Sequence, residues 1–282
     1  MKEQKKKERL DVLLVKRVLA ESREKAKAII MTGNVFVNDQ REDKAGSTFP
    51  TDCKIEIKGT PMKYVSRGGL KLEKAMKEFD ISLEGMVCMD IGASTGGFTD
   101  CLLRHGAARV YALDVGHGQL HPSLCADARV VNLEGMDVRR TDEVLARMGE
   151  NRPAFCVMDV SFISLSTIWP AVETLVSADA TVVCLIKPQF EAGRAAVGKR
   201  GVVKDPAVHQ QVLRRLTAFW AENGWEVSYL SFSPITGGEG NIEYLAALSR
   251  RDTTPAAPWQ GDIRALTLAA KQAFSKKGGR TT

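Results

Sequence analysis

No stretch of this 282-residue chain is apolar for long enough to cross a bilayer; the run from Ala180 to Ile186 has only the length of a strand. Near the N-terminus the run Val12-Leu13-Leu14-Val15 is cut by Lys16-Arg17, which argues against a secretory signal peptide and against a membrane partner. Six cysteines stand apart at 53, 88, 101, 125, 156 and 184, four of them inside apolar runs, and no Cys-x-x-Cys occurs. Thiols so placed act as small buried hydrophobes, and their usage predicts a reducing, cytoplasmic setting. His117, His121 and Cys125 are spaced four apart, but Gly118 and Pro122 break any shared helical face, so no metal is expected. Also missing is the G-x-G-x-x-G spacing of dinucleotide-binding turns.

The apolar fraction of 44% supports a sizeable core, and the length suits two domains or one large domain with an appendage. Charge is unevenly placed. Residues 1–66 hold 15 lysines and arginines against 10 aspartates and glutamates, five of the chain's six net positive charges. A small basic module on a near-neutral body predicts a polyanionic partner held by the module.

The chain is organised around Cys88-Met89-Asp90-Ile91-Gly92-Ala93-Ser94-Thr95-Gly96-Gly97-Phe98. Val87–Ile91 reads as a buried strand, the glycines as a sharp turn and Phe98–Arg104 as a helix. That edge offers backbone N–H groups to a ligand. Eighteen positions beyond Gly96, the apolar run Arg109–Leu113 ends in Asp114, whose carboxylate can accept from two ribose hydroxyls. The ligand predicted is a nucleoside without a pyrophosphate. Candidate contacts are Asp90, Gly92, Ser94, Gly96, Gly97, Phe98 and Asp114. The combination resembles motif I of the S-adenosylmethionine-dependent methyltransferases.

Ahead of it, residues 2–8 read as a basic arm. Leu10, Leu13, Leu14 and Val18 recur at helical spacing, and Ala26, Ile29 and Ile30 line a second helix capped by Ser22 and closed at Thr32-Gly33-Asn34. Val35–Val37 and Ile55–Ile57 read as strands, with a turn at Asn38–Gln40. Arg9, Arg23, Lys25 and Lys27 fall at or beside the helix starts, off the apolar faces. The order Arg9-Leu10-Asp11, Ser22-Arg23-Glu24-Lys25-Ala26 and Gly33-Asn34-Val35-Phe36-Val37-Asn38 resembles the S4 RNA-binding domain. That likeness implies binding of structured RNA by shape and phosphates.

Gly59-Thr60-Pro61 is the expected domain boundary. Beyond it come a helix at Leu70–Phe79, strands at Val87–Ile91, Val110–Asp114, Val130–Asn132, Phe155–Asp159, Thr181–Ile186 and Glu226–Phe232, and helices at Thr99–His105, Thr141–Met148, Ile163–Val176 and His209–Asn223. Such alternation predicts an α/β, Rossmann-like fold with a mostly parallel sheet, after a small α+β module. Thr253–Pro258 reads as a linker, Ile263–Phe274 as a short helix and Ser275–Arg280 as a basic tail. The division expected is 1–60, 61–250 and 251–282.

Asp159 and Lys187 end two apolar strands, and a glycine loop, Gly237 to Gly240, leads into Glu243. A sulfonium methyl donor is already activated, so transfer needs neither metal nor covalent intermediate. A ribose 2′-hydroxyl is a poor nucleophile until its proton leaves; a lysine set among carboxylates can take that proton or stabilise the developing alkoxide. Over essentially its whole length the chain resembles the TlyA, or haemolysin A-type, ribosomal RNA 2′-O-methyltransferases, in which an S4 domain precedes an FtsJ-like body. The resemblance implies a Lys-Asp-Lys-Glu tetrad at Lys71, Asp159, Lys187 and Glu243, with Lys187 the central base held by Asp159 and Glu243. It further implies S-adenosylmethionine as cofactor, with Asp137 near the adenine and Asp159 also bordering the cofactor. Arg67 joins Arg9, Arg23, Lys25 and Lys27 as an RNA contact. The partner implied is ribosomal RNA or a ribosomal subunit, and the product a 2′-O-methyl ribose on cytidine. A membrane-active haemolysin and a non-catalytic RNA-binding assembly factor are the alternatives; the first lacks a spanning helix and the second leaves the tetrad unexplained.

Overall fold

A computed structural model describes residues 7–20, 22–31, 33–58, 63–252 and 257–275. The arm before Lys7, Thr32, the Gly59–Pro61 boundary, residues 253–256 of the linker and the tail beyond Ser275 lie outside the described residues. Two compact units divide the chain, Met1–Arg67 and Gly68–Thr282.

The first unit runs β1 (Lys7–Arg9), α1 (Leu10–Lys16), α2 (Arg23–Met31), β2 (Val35–Val37), β3 (Gln40–Glu42), β4 (Thr48–Pro50) and β5 (Ile55–Ile57). Leu10, Leu13 and Leu14 of α1 meet Ala26 and Ile30 of α2 and the inward Val35 and Val37 of β2. β2 lies between β3 and β5, antiparallel to both. Asn38 and Asp39 both hold positive φ, 49° and 64°, so the β2–β3 hairpin closes through a two-residue turn whose twist matches the strands. The antiparallel pair β1–β4 has three residues a side and no alternation, and periodicity does not find it.

The second unit contains α3 (Gly68–Glu78), β6 (Val87–Ile91), α4 (Gly97–Arg104), β7 (Arg109–Asp114), α5 (Pro122–Cys125), β8 (Val130–Glu134), α6 (Thr141–Met148), β9 (Phe155–Met158), α7 (Leu165–Leu175), β10 (Thr181–Ile186), α8 (Pro188–Glu191), α9 (Pro206–Glu222), β11 (Trp225–Phe232), β12 (Tyr244–Arg250) and α10 (Ile263–Ser275). Seven strands form one sheet in the order β11-β12-β10-β9-β6-β7-β8. All neighbours from β10 to β8 pair in parallel, while β12 runs antiparallel to both β10 and β11. Sequence reading leaves β12 unassigned: Tyr244 to Ser249 are buried on both faces, and a continuous apolar run has no period to separate strand from helix. The strand order reverses between β6 and β9, so the carboxyl ends of these two strands open a crevice of the kind that takes ligands. Behind the sheet, Trp169, Trp220 and Trp225 are fully buried, with ring centroids 5.5 and 5.1 Å apart around Trp169. Asp205 accepts from the Ala207 amide ahead of Pro206 and starts α9. Among the described residues no helix is long and apolar enough to cross a membrane.

Asp11 fastens the first unit. Its carboxylate is fully buried and accepts from Arg9 at 2.9 and 3.1 Å and from Arg23 at 2.9 Å. The Arg9 hydrogen bonds outweigh the opposing effect of burial and, with Arg23, hold the carboxyl below the usual range. A depressed folded pKa gives stability that is complete above the unfolded value of about 3.9 and lost as pH falls through the folded one. Asp11→Ala is expected to speed amide exchange in α1 and α2 by about 1–2 kcal/mol, at the low end because the half-exposed guanidiniums rehydrate. The difference from wild type should persist at neutral pH and shrink in strong acid. Equal exchange at neutral pH would remove Asp11 as the fastener.

Candidate active site

The crevice is walled first by the turn after β6. Gly92 holds φ +84°, and a Cβ there would stand 2.8 Å from the Asp159 carbonyl oxygen, so glycine lets the turn press against the end of β9. Gly96, at φ 93°, is the N-cap of α4, and Gly97 opens that helix. Asp114, at the end of β7, closes the turn from the far side: Oδ2 accepts from the Ser94 amide at 2.8 Å and Oδ1 from the Gly116 amide at 2.7 Å. Each oxygen keeps a lone pair for a ribose hydroxyl. The Met136 amide donates to the Asp114 carbonyl at 3.0 Å and brings the loop of Asp137 alongside. Asp137 itself is gripped by Arg139 at 2.5 Å, a pairing that holds its carboxyl at about 2. This donor and acceptor set fits a nucleoside.

Two expected contacts sit deeper than the sequence suggests. Phe98 is only 3% exposed and its ring packs into the core. Asp90 is fully buried, its Oδ2 accepts from Thr99 Oγ1 at 2.7 Å, and its Oδ1 has no hydrogen-bond partner among the described residues. Both side chains are closed off from solvent in this structure.

Across the crevice the sheet assembles four ionisable groups. Lys71 comes from α3, Asp159 follows β9, Lys187 follows β10 and Glu243 precedes β12. Lys187 Nζ lies 2.6 Å from Asp159 Oδ1, Lys71 Nζ 3.5 Å from Asp159 Oδ2, and Lys71 Nζ 2.7 Å from Glu243 Oε2. Charges therefore alternate in a row, Lys187, Asp159, Lys71, Glu243. Glu243 does not hold Lys187 directly, as expected from sequence; it holds Lys71, and reaches Lys187 only through Asp159. Both lysines are 8% exposed and Glu243 2%. Burial works against charge on Lys71, but Asp159 and Glu243 raise its pKa. Burial likewise works against charge on Asp159, but Lys71 and Lys187 carry its pKa below the usual value. Gly237 makes room for this row: a Cβ there would stand 2.0 Å from Glu243 Oε1.

Sequence reasoning misses three neighbours. Ser161 Oγ accepts from Lys187 Nζ at 3.0 Å. Phe162 is 90% exposed at φ 64° and lies 4.8 Å, centroid to centroid, from Phe190. Glu191, 5% exposed, accepts from the Leu165 amide and from Ser164 Oγ, both at 2.8 Å, and pairs with Arg215 at 2.8 Å. It thus ties the Asp159–Ser164 loop to the turn carrying Lys187. The motif Asp159-Val160-Ser161-Phe162 held the signal, since a hydroxyl and an aromatic follow a rim carboxylate directly.

In the first unit, Arg9 and Arg23 share the Asp11 carboxylate, so part of their charge is already answered; Lys25 and Lys27 are exposed on α2. Arg67 is exposed immediately before α3 in the chain. His121 Nδ1 is taken up by Ser123, and no cluster of three or more His, Cys, Asp or Glu is placed to hold a metal among the described residues.

Asp90 supplies a test of the turn. Burial, opposed by Thr99 and reinforced by the charges of Asp159 and Asp114, pushes its carboxyl up to about 7. A carboxyl whose pKa is raised in the fold binds its proton more tightly folded than unfolded. It therefore withdraws stability as pH climbs from about 4 to about 7. Asp90→Asn is expected to flatten that decline and to melt above wild type at pH 8. A decline of unchanged size in the variant, followed by denaturant unfolding at several pH values, would contradict the placement.

The FtsJ-like methyltransferase family model matches residues 64–250, and the S4 domain model residues 8–50. Over 243 residues the chain is 53% identical to YqxC, a candidate rRNA methyltransferase of Bacillus subtilis, covering 86% of each chain. It is 41% identical over 239 residues to the 16S/23S rRNA (cytidine-2′-O)-methyltransferase TlyA of Mycobacterium tuberculosis, covering 84% of this chain and 88% of that one. The solved structure of a candidate hemolysin from Streptococcus thermophilus is 44% identical and superposes with a TM-score of 0.76, over 97% of this chain and 99% of the other. With Asp159, Lys187 and Glu243 inside the matched span and a small RNA-binding-type module preceding it, this chain belongs to the FtsJ-like methyltransferase family and carries an S4 domain.

Proposed function

We propose that this enzyme methylates a ribose 2′-hydroxyl, that of a cytidine in ribosomal RNA, using S-adenosylmethionine. The observation that carries the reading is the buried row Lys187–Asp159–Lys71–Glu243 set against the glycine turn. Residues 1–60 act as the RNA-holding module, 61–250 as the catalytic body and 251–282 as its extension. The names of the relatives support the substrate.

The turn from Gly92 to Gly97, with the Ser94 backbone, forms the cofactor's bed. Asp114 takes the ribose hydroxyls and Asp137 stands by the adenine. S-adenosylmethionine, when bound, supplies a methyl group already activated on sulfonium. What remains for the protein is to bring the 2′-oxygen in line and remove its proton.

Lys187 does the second. A lone pair on Nζ accepts the 2′-hydroxyl proton as the oxygen takes the methyl group, and the resulting ammonium lies beside Asp159, whose charge stabilises it. Lys71 and Glu243 keep Asp159 ionised and aimed. Phe162 contributes to the first task. A phenylalanine at positive φ is strained, and its ring stands in solvent on the residue next to Ser161, whose hydroxyl touches Lys187. An exposed aromatic at that place is a platform on which a base drawn out of its stack would rest. Arg9, Arg23, Lys25, Lys27 and Arg67 supply cations toward phosphates, a contribution that weakens with salt.

Lys187→Ala and Lys187→Arg are both expected to lose methyl transfer by roughly a hundredfold or more, the usual scale for a general base, because arginine keeps the charge without giving up a proton. Cofactor and RNA binding should survive in both. Single-turnover transfer of labelled methyl to ribosomal RNA, with binding followed separately, provides the measurement. Near-normal turnover in Lys187→Arg would remove the proton-transfer role, and near-normal turnover in Lys187→Ala would move the site elsewhere.

A further inference from the structure

For Lys187 to act as a base it must present a lone pair, and its surroundings suit an ammonium. Among the described residues three acceptors face Nζ: Asp159 Oδ1 at 2.6 Å, the Asp159 carbonyl at 3.5 Å and Ser161 Oγ at 3.0 Å. An ammonium has three protons to give them. One of those protons has to leave before each transfer, and the three acceptors differ in what they can do with it.

A backbone carbonyl accepts a hydrogen bond but does not carry a proton away. Asp159 is a poor proton acceptor where it stands. Lys71 answers its other oxygen, and the two lysines hold its carboxyl low despite burial. Its Oδ1 meets Lys187 at 2.6 Å as an ion pair. Ser161 differs on both counts. Its hydroxyl accepts from an ammonium and, turned about the C–O bond, donates to an amine, so it satisfies Lys187 in either protonation state. It is also solvent-exposed, whereas Lys187 is 8% exposed.

We propose that Ser161 is the proton exit for Lys187, connecting the buried amine to water. The proposal rests on the 2′-O-methyl transfer described above and adds the route by which its base is regenerated. As the step runs, the Nζ–H bond breaks and its electron pair stays on nitrogen. The proton bonds to Ser161 Oγ while the original hydroxyl proton passes to a water molecule, and from there to solvent or buffer base. Serine ends as it began, and Lys187 is left with the lone pair that takes the 2′-hydroxyl proton. Ser161 is held in place for this by its neighbours. Glu191 anchors Ser164 and Leu165 on one side, and Gly92 admits the Asp159 backbone on the other.

The other charged groups around Lys187 are Lys71 and Asp90, which face Asp159, Glu243 behind Lys71, and Glu191 paired with Arg215 at the end of α8. None of these has a rotatable hydroxyl against Nζ among the contacts of the described residues.

The test is the single-turnover rate of methyl transfer as a function of pH in wild type, Ser161→Ala and Ser161→Thr, with and without added imidazole as a small proton carrier. Ser161→Ala is expected to lose about tenfold or more in rate, the lower part of the range for a proton-transfer group. The loss should be greatest at the acid end, where Lys187 must be unloaded before each transfer, and imidazole should restore part of it. Ser161→Thr, which keeps the hydroxyl, should stay close to wild type, and cofactor and RNA binding should be unchanged in both variants. The proposal is overturned if Ser161→Ala matches wild type across the pH range. It is also overturned if Ser161→Ala and Ser161→Thr fall by one shared, pH-independent factor that imidazole does not touch, because a contact without proton transfer would do that. A wild-type enzyme that puts no methyl on ribose would instead bring down the reading beneath it.

Discussion

The row of alternating charges, Lys187, Asp159, Lys71, Glu243, is what the rest of the methyltransferase unit has to accommodate. Taking four ionised groups out of water costs several kcal/mol apiece unless each finds a partner, and removing one partner leaves the next stranded. Here each interior member has a neighbour of opposite sign on both sides, at 2.6 to 3.5 Å. The row is electrically neutral as a whole, so it can lie in a mostly buried crevice.

Sheet order delivers these groups. β9 and β10 are parallel neighbours, so Asp159 and Lys187 emerge side by side from the same edge. β12 runs the opposite way beside β10, with Ile186 opposite Tyr244, and the residue before Tyr244 is Glu243. The antiparallel strand is therefore a requirement of the site: a strand running parallel there would start at the far edge and carry its leading carboxylate away from Lys71. Backbone spacing is equally constrained. Gly92 admits the Asp159 carbonyl and Gly237 admits the Glu243 carboxylate, so two glycines far apart in the chain set the width of one crevice. Glu191 then locks the loop that bears Ser161 and Phe162 to the turn that bears Lys187.

Much of this is legible before the fold is seen. The alternation of strands and helices, the glycine turn with Asp114, and strands ending in Asp159 and Lys187 are local patterns carried by a few adjacent residues. What is not legible depends on distance. β12 has no period because both faces are buried, and the three-residue pair β1–β4 has too little length to show one. Glu243 reads as a member of the site, but whether it faces Lys187 or Lys71 is decided by how α3 packs across the sheet. Asp90 and Phe98 read as contacts because they belong to the turn, yet a turn offers its backbone to a ligand and sends these side chains inward. Arg9 and Arg23 read as cations for RNA; only folding brings the buried Asp11 between them. Ser161 and Phe162 sit in plain view beside Asp159, and their meaning needs the 3.0 Å contact and the positive φ.

The central claim is that this crevice makes 2′-O-methyl ribose on ribosomal RNA. The most direct measurement maps 2′-O-methyl positions across both ribosomal subunits' RNA in cells with the chain, without it, and with Lys187→Ala in its place. The account predicts at least one cytidine that carries a 2′-O-methyl group only when the wild-type chain is present and is bare with Lys187→Ala. Maps identical in all three would contradict it, and so would a site methylated equally well by Lys187→Ala.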